Sequence, residues 1–219
     1  MKRTSQISES IELGIILAIS GGFMDAYSYI QRGEVFANAQ TGNMLLMGVY
    51  FSEGIVHQGI NYLVAVLSFA IGIALADLVR MLNINRFHWR QISVLIEAVI
   101  LAGVSCIPES MNLMANSLTS LACGIQVESF RKIHGNGIAT TMCIGNLRSA
   151  TQNLCYYLKN KDKNYIEKSV IYYGIILCFI LGAVIGNILV KNFHESAISA
   201  CSFLLLISFV LMFVDRENK

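Results

Sequence analysis

Long apolar stretches recur along the whole chain, and they constrain its fold more than any other feature. Six of them qualify as membrane spans, because a spanning helix needs about 20 largely apolar residues. They are residues 11–30, 60–79, 92–107, 111–130, 170–190 and 197–214. The chain is 55% hydrophobic and only 14% charged, so it lacks the charged surface of a water-soluble domain. We predict an all-α integral membrane protein that forms one membrane domain over residues 1–219.

Two further segments, residues 35–51 and 137–158, are apolar but interrupted by polar side chains that lipid would not tolerate. Irregular backbone is accepted at membrane depth only where protein or a watery cavity satisfies its polar groups. We therefore predict two re-entrant segments. Each would consist of a descending arm and a short helix that returns to the side from which the chain entered.

The distribution of positive charge favours re-entrant segments over two additional spans. Cytoplasmic loops are enriched in Lys and Arg. If both segments return, all 16 Lys and Arg residues fall inside except Arg32 and Lys191. With eight full spans, the loop that carries Arg80, Arg86 and Arg90 would lie outside. We predict six spans with both termini in the cytoplasm, and eight full spans are the alternative.

The chain also matches itself weakly when it is shifted by 103 residues. The shift lays Asp25 on Glu128, Gly42 and Asn43 on Gly145 and Asn146, and Asn61 and Tyr62 on Asn164 and Tyr165. The two halves, about 11–107 and 111–214, each hold three predicted spans, so the second half would be inverted. In transporters with inverted repeats, the substrate lies near the midplane where broken helices meet. We therefore predict that the two Gly-Asn tips approach each other.

Two neighbouring motifs carry a family resemblance. The stretch Gly22-Phe-Met-Asp25-Ala-Tyr27, followed by Phe36-Ala-Asn38-Ala-Gln-Thr41-Gly42-Asn43, resembles the signature of the YoaK-like family of small multi-pass bacterial membrane proteins. The resemblance covers essentially the whole chain. It implies a protein of the bacterial inner membrane, and it supplies no substrate because the function of that family is unknown.

Polar residues at membrane depth are the candidate binding residues, because burying them in lipid is costly. They are Asp25, Asn38, Thr41, Asn43, Glu128, Thr140, Thr141 and Asn146. A helix that starts at each tip would present free N–H groups and a positive dipole end, which suits a polar or anionic group. The alternative is that Thr and Asn only cap the half-helices. Asp25 and Glu128 are either proton- or cation-coupling groups or structural acceptors.

Two other acids fall in predicted spans. Asp77 lies three residues before Arg80, a spacing that predicts an ion pair on one helix face. Glu97 lies five residues into its span. It can reach the interface or meet Arg148, and the sequence leaves both possibilities open.

Small residues line one face of each of two predicted spans. They are Gly14, Ala18, Gly22 and Ala26 in the first span, and Gly174, Gly182 and Gly186 in the span 170–190. Small residues at this spacing let helices cross closely. We expect these faces to pack within one chain, and a homo-oligomer interface is the alternative.

The leading functional hypothesis is a transporter or channel for a small polar or anionic solute. A membrane-embedded enzyme and a non-transporting scaffold or sensor are the alternatives. The sequence contains no Ser-His or Cys-His arrangement, and its six cysteines are scattered, so we expect no catalytic group, metal or other cofactor. A net charge of +2 does not indicate a nucleic-acid partner. The expected partners are the lipid bilayer and the solute.

Overall fold

The computed structural model describes residues 10–82, 88–133 and 135–213. The helices are α1 (Ile11–Gln31), α2 (Gln40–Ser52), α3 (Val56–Met81), α4 (Trp89–Val104), α5 (Asn112–Ser129), α6 (Cys143–Asn160), α7 (Lys163–Phe193) and α8 (Ser199–Leu211). Short 3₁₀ turns at Glu109–Met111 and His194–Ile198 precede α5 and α8. The charges predicted to be cytoplasmic at Lys2, Arg3, Arg86, Arg216 and Lys219, and Val214 at the end of the last span, lie outside the described residues.

Every predicted apolar segment forms a helix, and one short β-hairpin interrupts the helical chain. Its strands are β1 (Lys132–Ile133) and β2 (Asn136–Gly137), which pair antiparallel. Gly135 in the connection has φ +75, a left-handed conformation that glycine adopts without steric cost. The prediction of an all-α chain missed this hairpin, because four strand residues carry too weak a pattern to be seen.

The two polar segments contain short helices that follow non-helical arms. The helix α2 has 13 residues and starts at Gln40, after an irregular stretch that leaves α1. The helix α6 has 18 residues and starts at Cys143, after the hairpin. It ends at Lys161, which takes a left-handed φ of 56, and Asp162 then caps α7 by accepting a hydrogen bond from the Asn164 N–H.

Three stretches in the described part of the chain are long and apolar enough to cross a membrane. They are Ile11–Gln31, Val56–Met81 and Lys163–Leu211, the last of which runs through α7 and α8. The outward faces of α3 and α7 are apolar, with Leu67, Ile71, Leu177 and Ile180 all more than half exposed. Apolar faces of this kind suit contact with lipid rather than with water.

The helices pack as two closely crossed pairs around a shared centre. The most extensive contacts join α1 to α7 and α3 to α5. The short helix α2 packs on α3, and α6 packs on α7. The remaining helices α4 and α8 pack against each other, and also against α5 and α1 respectively. The main apolar core lies between α1, α4, α5 and α8.

Glycines allow α1 and α7 to approach each other closely. Gly22 of α1 lies against the backbone of Phe179, and Gly182 of α7 lies against the backbone of Ile19. A side chain at either glycine would overlap a carbonyl oxygen of the facing helix. The two small-residue faces therefore meet within one chain, which confirms the expected intramolecular packing. Gly14 and Gly174 are exceptions, because Gly14 lies against the Ile133 side chain and open space surrounds Gly174.

Glycines also allow α3 and α5 to approach each other closely. Gly72 of α3 lies against the backbone of Leu121, and Gly124 of α5 lies against the backbone of Phe69. In all four helices, the residue whose carbonyl meets the facing glycine lies three positions before the glycine of its own helix. Both crossings therefore leave no room for a Cβ atom.

Candidate functional site

A cavity of about 420 Å³ lies between the first turns of α2 and α6. It is lined by Asp25 of α1, Phe179 of α7, and residues 38–41 and 141–144 at the two helix starts. The two polar segments form the cavity, because each leads from the end of a long helix to a helix that begins inside the bundle. Of the predicted site residues, the cavity brings together Asp25, Asn38, Thr41 and Thr141.

Asp25 joins the cavity to the start of α2. Its carboxylate oxygen Oδ1 accepts a hydrogen bond of 2.7 Å from the backbone N–H of Asn38, two residues before the first residue of α2. A carboxylate near a helix N-terminus is stabilised by the free N–H groups and by the dipole. Asp25 thus holds the first tip in place while it lines the cavity wall.

Two buried polar atoms on the cavity wall have no hydrogen-bond partner in the described structure. The Asn38 amide donates from Nδ2 to the carbonyl of Gly21 at 3.0 Å, and its Oδ1 is left without a partner. The Thr141 hydroxyl is also unpartnered, although the residue is only 2% exposed. A buried unsatisfied polar atom is costly. Both residues belong to the cavity lining, although the two atoms themselves are covered.

The start of α6 adds donors on the opposite wall. Met142 precedes the helix, and no side chain caps its first turn, so the first N–H groups of α6 lack intrahelical partners. The side chains of Met142, Ile144 and Phe179 complete the cavity with apolar surface. The residues that line this cavity thus carry a carboxylate, an amide, a hydroxyl and uncapped N–H groups.

Asn43 and Asn146 do not line this cavity, which corrects the expectation that they share it. Asn43 is fully buried and pairs with the backbone of Phe36, accepting from its N–H at 3.0 Å and donating to its carbonyl at 2.8 Å. Asn146 donates to the carbonyl of Ala139 at 2.7 Å. Each asparagine therefore forms hydrogen bonds with the backbone of the residue seven positions before it, an arrangement that we call the clasp. The two amides satisfy the backbone of the non-helical arms, and this structural role differs from the predicted capping, because neither α2 nor α6 has a side-chain cap.

Thr140 and Thr41 have different places. Thr140 is buried, and its hydroxyl accepts a hydrogen bond from the Gln126 side chain at 3.2 Å. Gln126 also donates to the carbonyl of Leu17, so this group ties the second arm to α5 and α1. Thr41 is exposed and lies at the cavity rim.

Glu128 does not line the cavity beside Asp25, which corrects the expectation that both acids belong to one site. Its carboxylate forms an ion pair with Arg131, and a second contact of 3.9 Å with Arg80. Arg80 also pairs with Asp77 at 2.8 Å, which confirms the ion pair predicted from their spacing. Glu128 is thus one member of a charged group at the ends of α3 and α5.

The register of helix packing explains this difference. Ile19 and Gly22 of α1 meet α7 in the way that Leu121 and Gly124 of α5 meet α3, which corresponds to a shift of 102 residues rather than 103. One residue of slip turns a side chain by about 100° around a helix. A match in sequence register therefore does not put Asp25 and Glu128 on equivalent faces.

The sequence did not identify three of the residues that line the cavity, and it left the place of Glu97 open. Cys143, Met142 and Phe179 line the cavity, and Glu97 is completely buried, with neither carboxylate oxygen hydrogen-bonded in the described structure. Glu97 therefore neither reaches the interface nor meets Arg148, which is exposed. Cys143 lies two residues after Thr141 at the second tip, and this position in the sequence could have identified it as a lining residue. The rotation of Phe179 and Glu97 into the protein was not visible in the sequence.

Comparisons with known proteins agree with the helical membrane architecture. A family model described as "Protein of unknown function (DUF1275)" matches residues 13–211. The UPF0700 transmembrane protein YoaK of Bacillus subtilis strain 168 is 24% identical over 209 residues, covering 90% of this chain and 88% of that protein. No solved structure matches. The chain therefore belongs to the DUF1275 family, the family of YoaK, and is a multi-helix membrane protein.

Proposed function

We propose that this protein is a transporter or channel for a small polar solute, with the cavity between the starts of α2 and α6 as its binding site. The observation that carries the proposal is the cavity itself, where Asp25 lies beside two lining residues, Asn38 and Thr141, that each keep a buried polar atom without a hydrogen-bond partner in the described structure. Polar groups left open inside an apolar protein are typical of ligand sites.

The lining also narrows the chemistry of the solute. The uncapped start of α6 and the Thr141 hydroxyl favour a hydrogen-bond acceptor. Asp25 and Asn38 Oδ1 favour a donor, and Asp25 repels an anion from the α2 side. A solute with an acceptor at one end and a donor at the other fits better than a simple anion. Neutral and zwitterionic compounds are the first classes to test.

The proposal includes six spans, two re-entrant segments and an inverted repeat, in the inner membrane with both termini inside. The packing supports the repeat, because exchanging the halves maps α1 on α7 to α5 on α3, α2 on α3 to α6 on α7, and α4 on α5 to α8 on α1. The contact of α4 with α8 maps onto itself. A pseudo-two-fold axis would then pass between the two tips.

Side-chain contacts support the same relation. Tyr62 of α3 donates to the carbonyl of Glu34 at 3.5 Å, and Tyr172 of α7 donates to the carbonyl of Gly137 at 3.3 Å. Glu34 and Gly137 are 103 residues apart, whereas the two tyrosines are 110 apart. The partner of Tyr62 in the repeat is therefore Tyr172 and not Tyr165, because α6 has 18 residues where α2 has 13, and α7 begins further before its tyrosine.

Solute flux into proteoliposomes tests the proposed function. Stopped-flow light scattering would compare polyols, zwitterionic amino acids and monocarboxylates, with protein-free liposomes as the baseline. We expect flux of at least one class above the baseline, and a three- to tenfold lower flux in Thr141→Val, about the effect of one hydrogen bond. The matched control is Thr151→Val, because Thr151 is exposed and bonds to Tyr173 away from the cavity.

Two results would overturn the proposal. Either no solute class crosses faster than in protein-free liposomes, or Thr141→Val and Thr151→Val transport equally well while both remain folded.

A further inference from the structure

A buried arginine follows α1, and it is one of the two positive charges that the predicted topology puts outside. Arg32 is only 1% exposed. Its guanidinium donates to the Tyr27 hydroxyl at 2.8 Å, to Asn112 Oδ1 at 3.1 Å and to the carbonyl of Ile107 at 2.7 Å. A buried cation needs such partners, because its removal from water is costly. Arg32 therefore ties the end of α1 to the start of α5 and to the segment between α4 and α5.

Two further hydrogen bonds join α1 to α5 at the same end. The Ser28 hydroxyl donates to Asn116 Oδ1 at 2.7 Å, and Asn116 Nδ2 donates to the backbone carbonyl of Arg32 at 2.7 Å. Both Ser28 and Asn116 are buried. With the bond from Arg32 to Asn112, these contacts form a group of four residues, Ser28, Arg32, Asn112 and Asn116, that we call the outer cluster.

The remaining contact between α1 and α5 is slight. These two helices make far fewer contacts with each other than with their close partners α7 and α3, where backbone meets backbone at the glycines. Close-packed backbones resist relative motion, whereas hydrogen bonds that become exposed are replaced by bonds to water at little net cost. The two close pairs therefore behave as rigid units, and the outer cluster joins one unit to the other.

The inner end of the same interface has different chemistry. In the packing register of 102 residues, Gly14 of α1 corresponds to Asn116 of α5. Gly14 lies against the Ile133 side chain, so an apolar contact takes the place of the two hydrogen bonds that Asn116 forms. Between the two ends, Gln126 of α5 donates to the carbonyl of Leu17 at 3.0 Å. The two ends of the interface are thus held in different ways.

The end of α1 and the first arm connect the outer cluster to the cavity. Asp25 lines the cavity, and it lies seven residues before Arg32, which is about 10 Å along a helix. The first arm starts beside Arg32 and leads to Asn38, which also lines the cavity. A displacement of the end of α1 away from α5 would therefore move two parts of the cavity wall.

We propose that the outer cluster is a latch that closes the cavity to the outside and releases when α1 separates from α5. On release, water bonds to the guanidinium of Arg32, the amide of Asn116 and the hydroxyl of Ser28, so no polar group stays unsatisfied. These are positioning residues that do not touch the solute. The latch deepens the proposed function and rests on it, because it controls access to the proposed solute site.

Labelling of the native thiol Cys143 from each side of the membrane tests the latch, because Cys143 lines the cavity. A membrane-impermeant methanethiosulfonate would be added to intact cells and to inside-out vesicles, and each cysteine would be followed by peptide mass spectrometry. Asn116→Ala removes two hydrogen bonds of the outer cluster. We therefore expect Cys143 to react about tenfold faster from outside than in the wild-type protein, and no faster from inside.

The matched control is Gln31→Ala, which removes a bond at the same end of α1. Gln31 donates to Glu109 in an exposed contact, and exposed contacts of this kind contribute little. The rate of Cys143 from outside should therefore stay at the wild-type value. Cys201 reports whether each variant is folded, because it is 0% exposed and should remain unmodified from both sides.

Three outcomes overturn the latch. One is an unchanged outside rate in folded Asn116→Ala, and another is an equal rise in Gln31→Ala. The third is a rise of the same size from both sides, which would mean general loosening. If Asn116→Ala does not fold, Ser28→Ala removes a single bond and must raise the outside rate about threefold. Solute flux by the wild-type protein together with any of these outcomes would overturn the latch alone and leave the proposed function intact.

Discussion

Single asparagines hold the two irregular arms of this protein inside the bundle. Asn43 satisfies both the N–H and the carbonyl of Phe36 and also donates to Gln40 Oε1 at 2.9 Å. Backbone groups at membrane depth must find such partners, because neither water nor lipid supplies them. Asn146 makes the matching bond to Ala139 in the second arm. In both arms, therefore, a single asparagine side chain satisfies backbone groups seven residues before it.

Replacing Asn43 tests this structural role. Asn43→Ala leaves the Phe36 N–H and carbonyl unsatisfied, so we expect a loss of about 2–4 kcal/mol in the free energy of unfolding. The control is Asn192→Ala, because Asn192 is exposed and bonds only within its own helix. Thermal unfolding in detergent measures both variants. Equal melting temperatures would show that the clasp does not stabilise the arm.

At the scale of elements, the helices of the two polar segments, α2 and α6, determine how many times the chain crosses the membrane. With 13 residues, α2 is about 20 Å long, which is less than the hydrocarbon core of about 30 Å, and an irregular arm precedes it, whereas the equally long α8 directly follows the 3₁₀ turn His194–Ile198. The arm before α2 is bound to this helix by Asn43, and Asp25 of α1 accepts a hydrogen bond from the Asn38 N–H in that arm. Both features suit a segment that returns rather than one that crosses.

Two native thiols distinguish six spans from eight. Cys106 and Cys155 are both exposed, and the six-span topology puts Cys106 outside and Cys155 inside. In intact cells we expect a membrane-impermeant maleimide to label Cys106, and to label Cys155 only after permeabilisation, as read by peptide mass spectrometry. Eight spans would put both thiols inside, so protection of Cys106 in intact cells would contradict the account.

At the scale of the whole molecule, hydropathy predicted every helix and both interrupted segments, because the bilayer requires long apolar stretches and tolerates polar backbone only inside protein. The sequence also placed Asp25, Asn38, Thr41 and Thr141 near the first and second tips, and these do line one cavity. It failed for Glu128 and Glu97. Which acid faces the interior depends on the rotation of each helix against its neighbours, and a repeat found without gaps does not determine that rotation.

The reactivity of Cys143 tests the central claim most directly, because this native thiol lines the cavity. Membrane vesicles would be treated with a small water-soluble methanethiosulfonate, and each cysteine would be followed by peptide mass spectrometry. A solute site predicts that Cys143 is modified in the folded protein, while Cys201, which is 0% exposed, is modified only after unfolding. If Cys143 is protected as fully as Cys201 until the protein unfolds, water does not reach the cavity, and the proposed solute site is wrong.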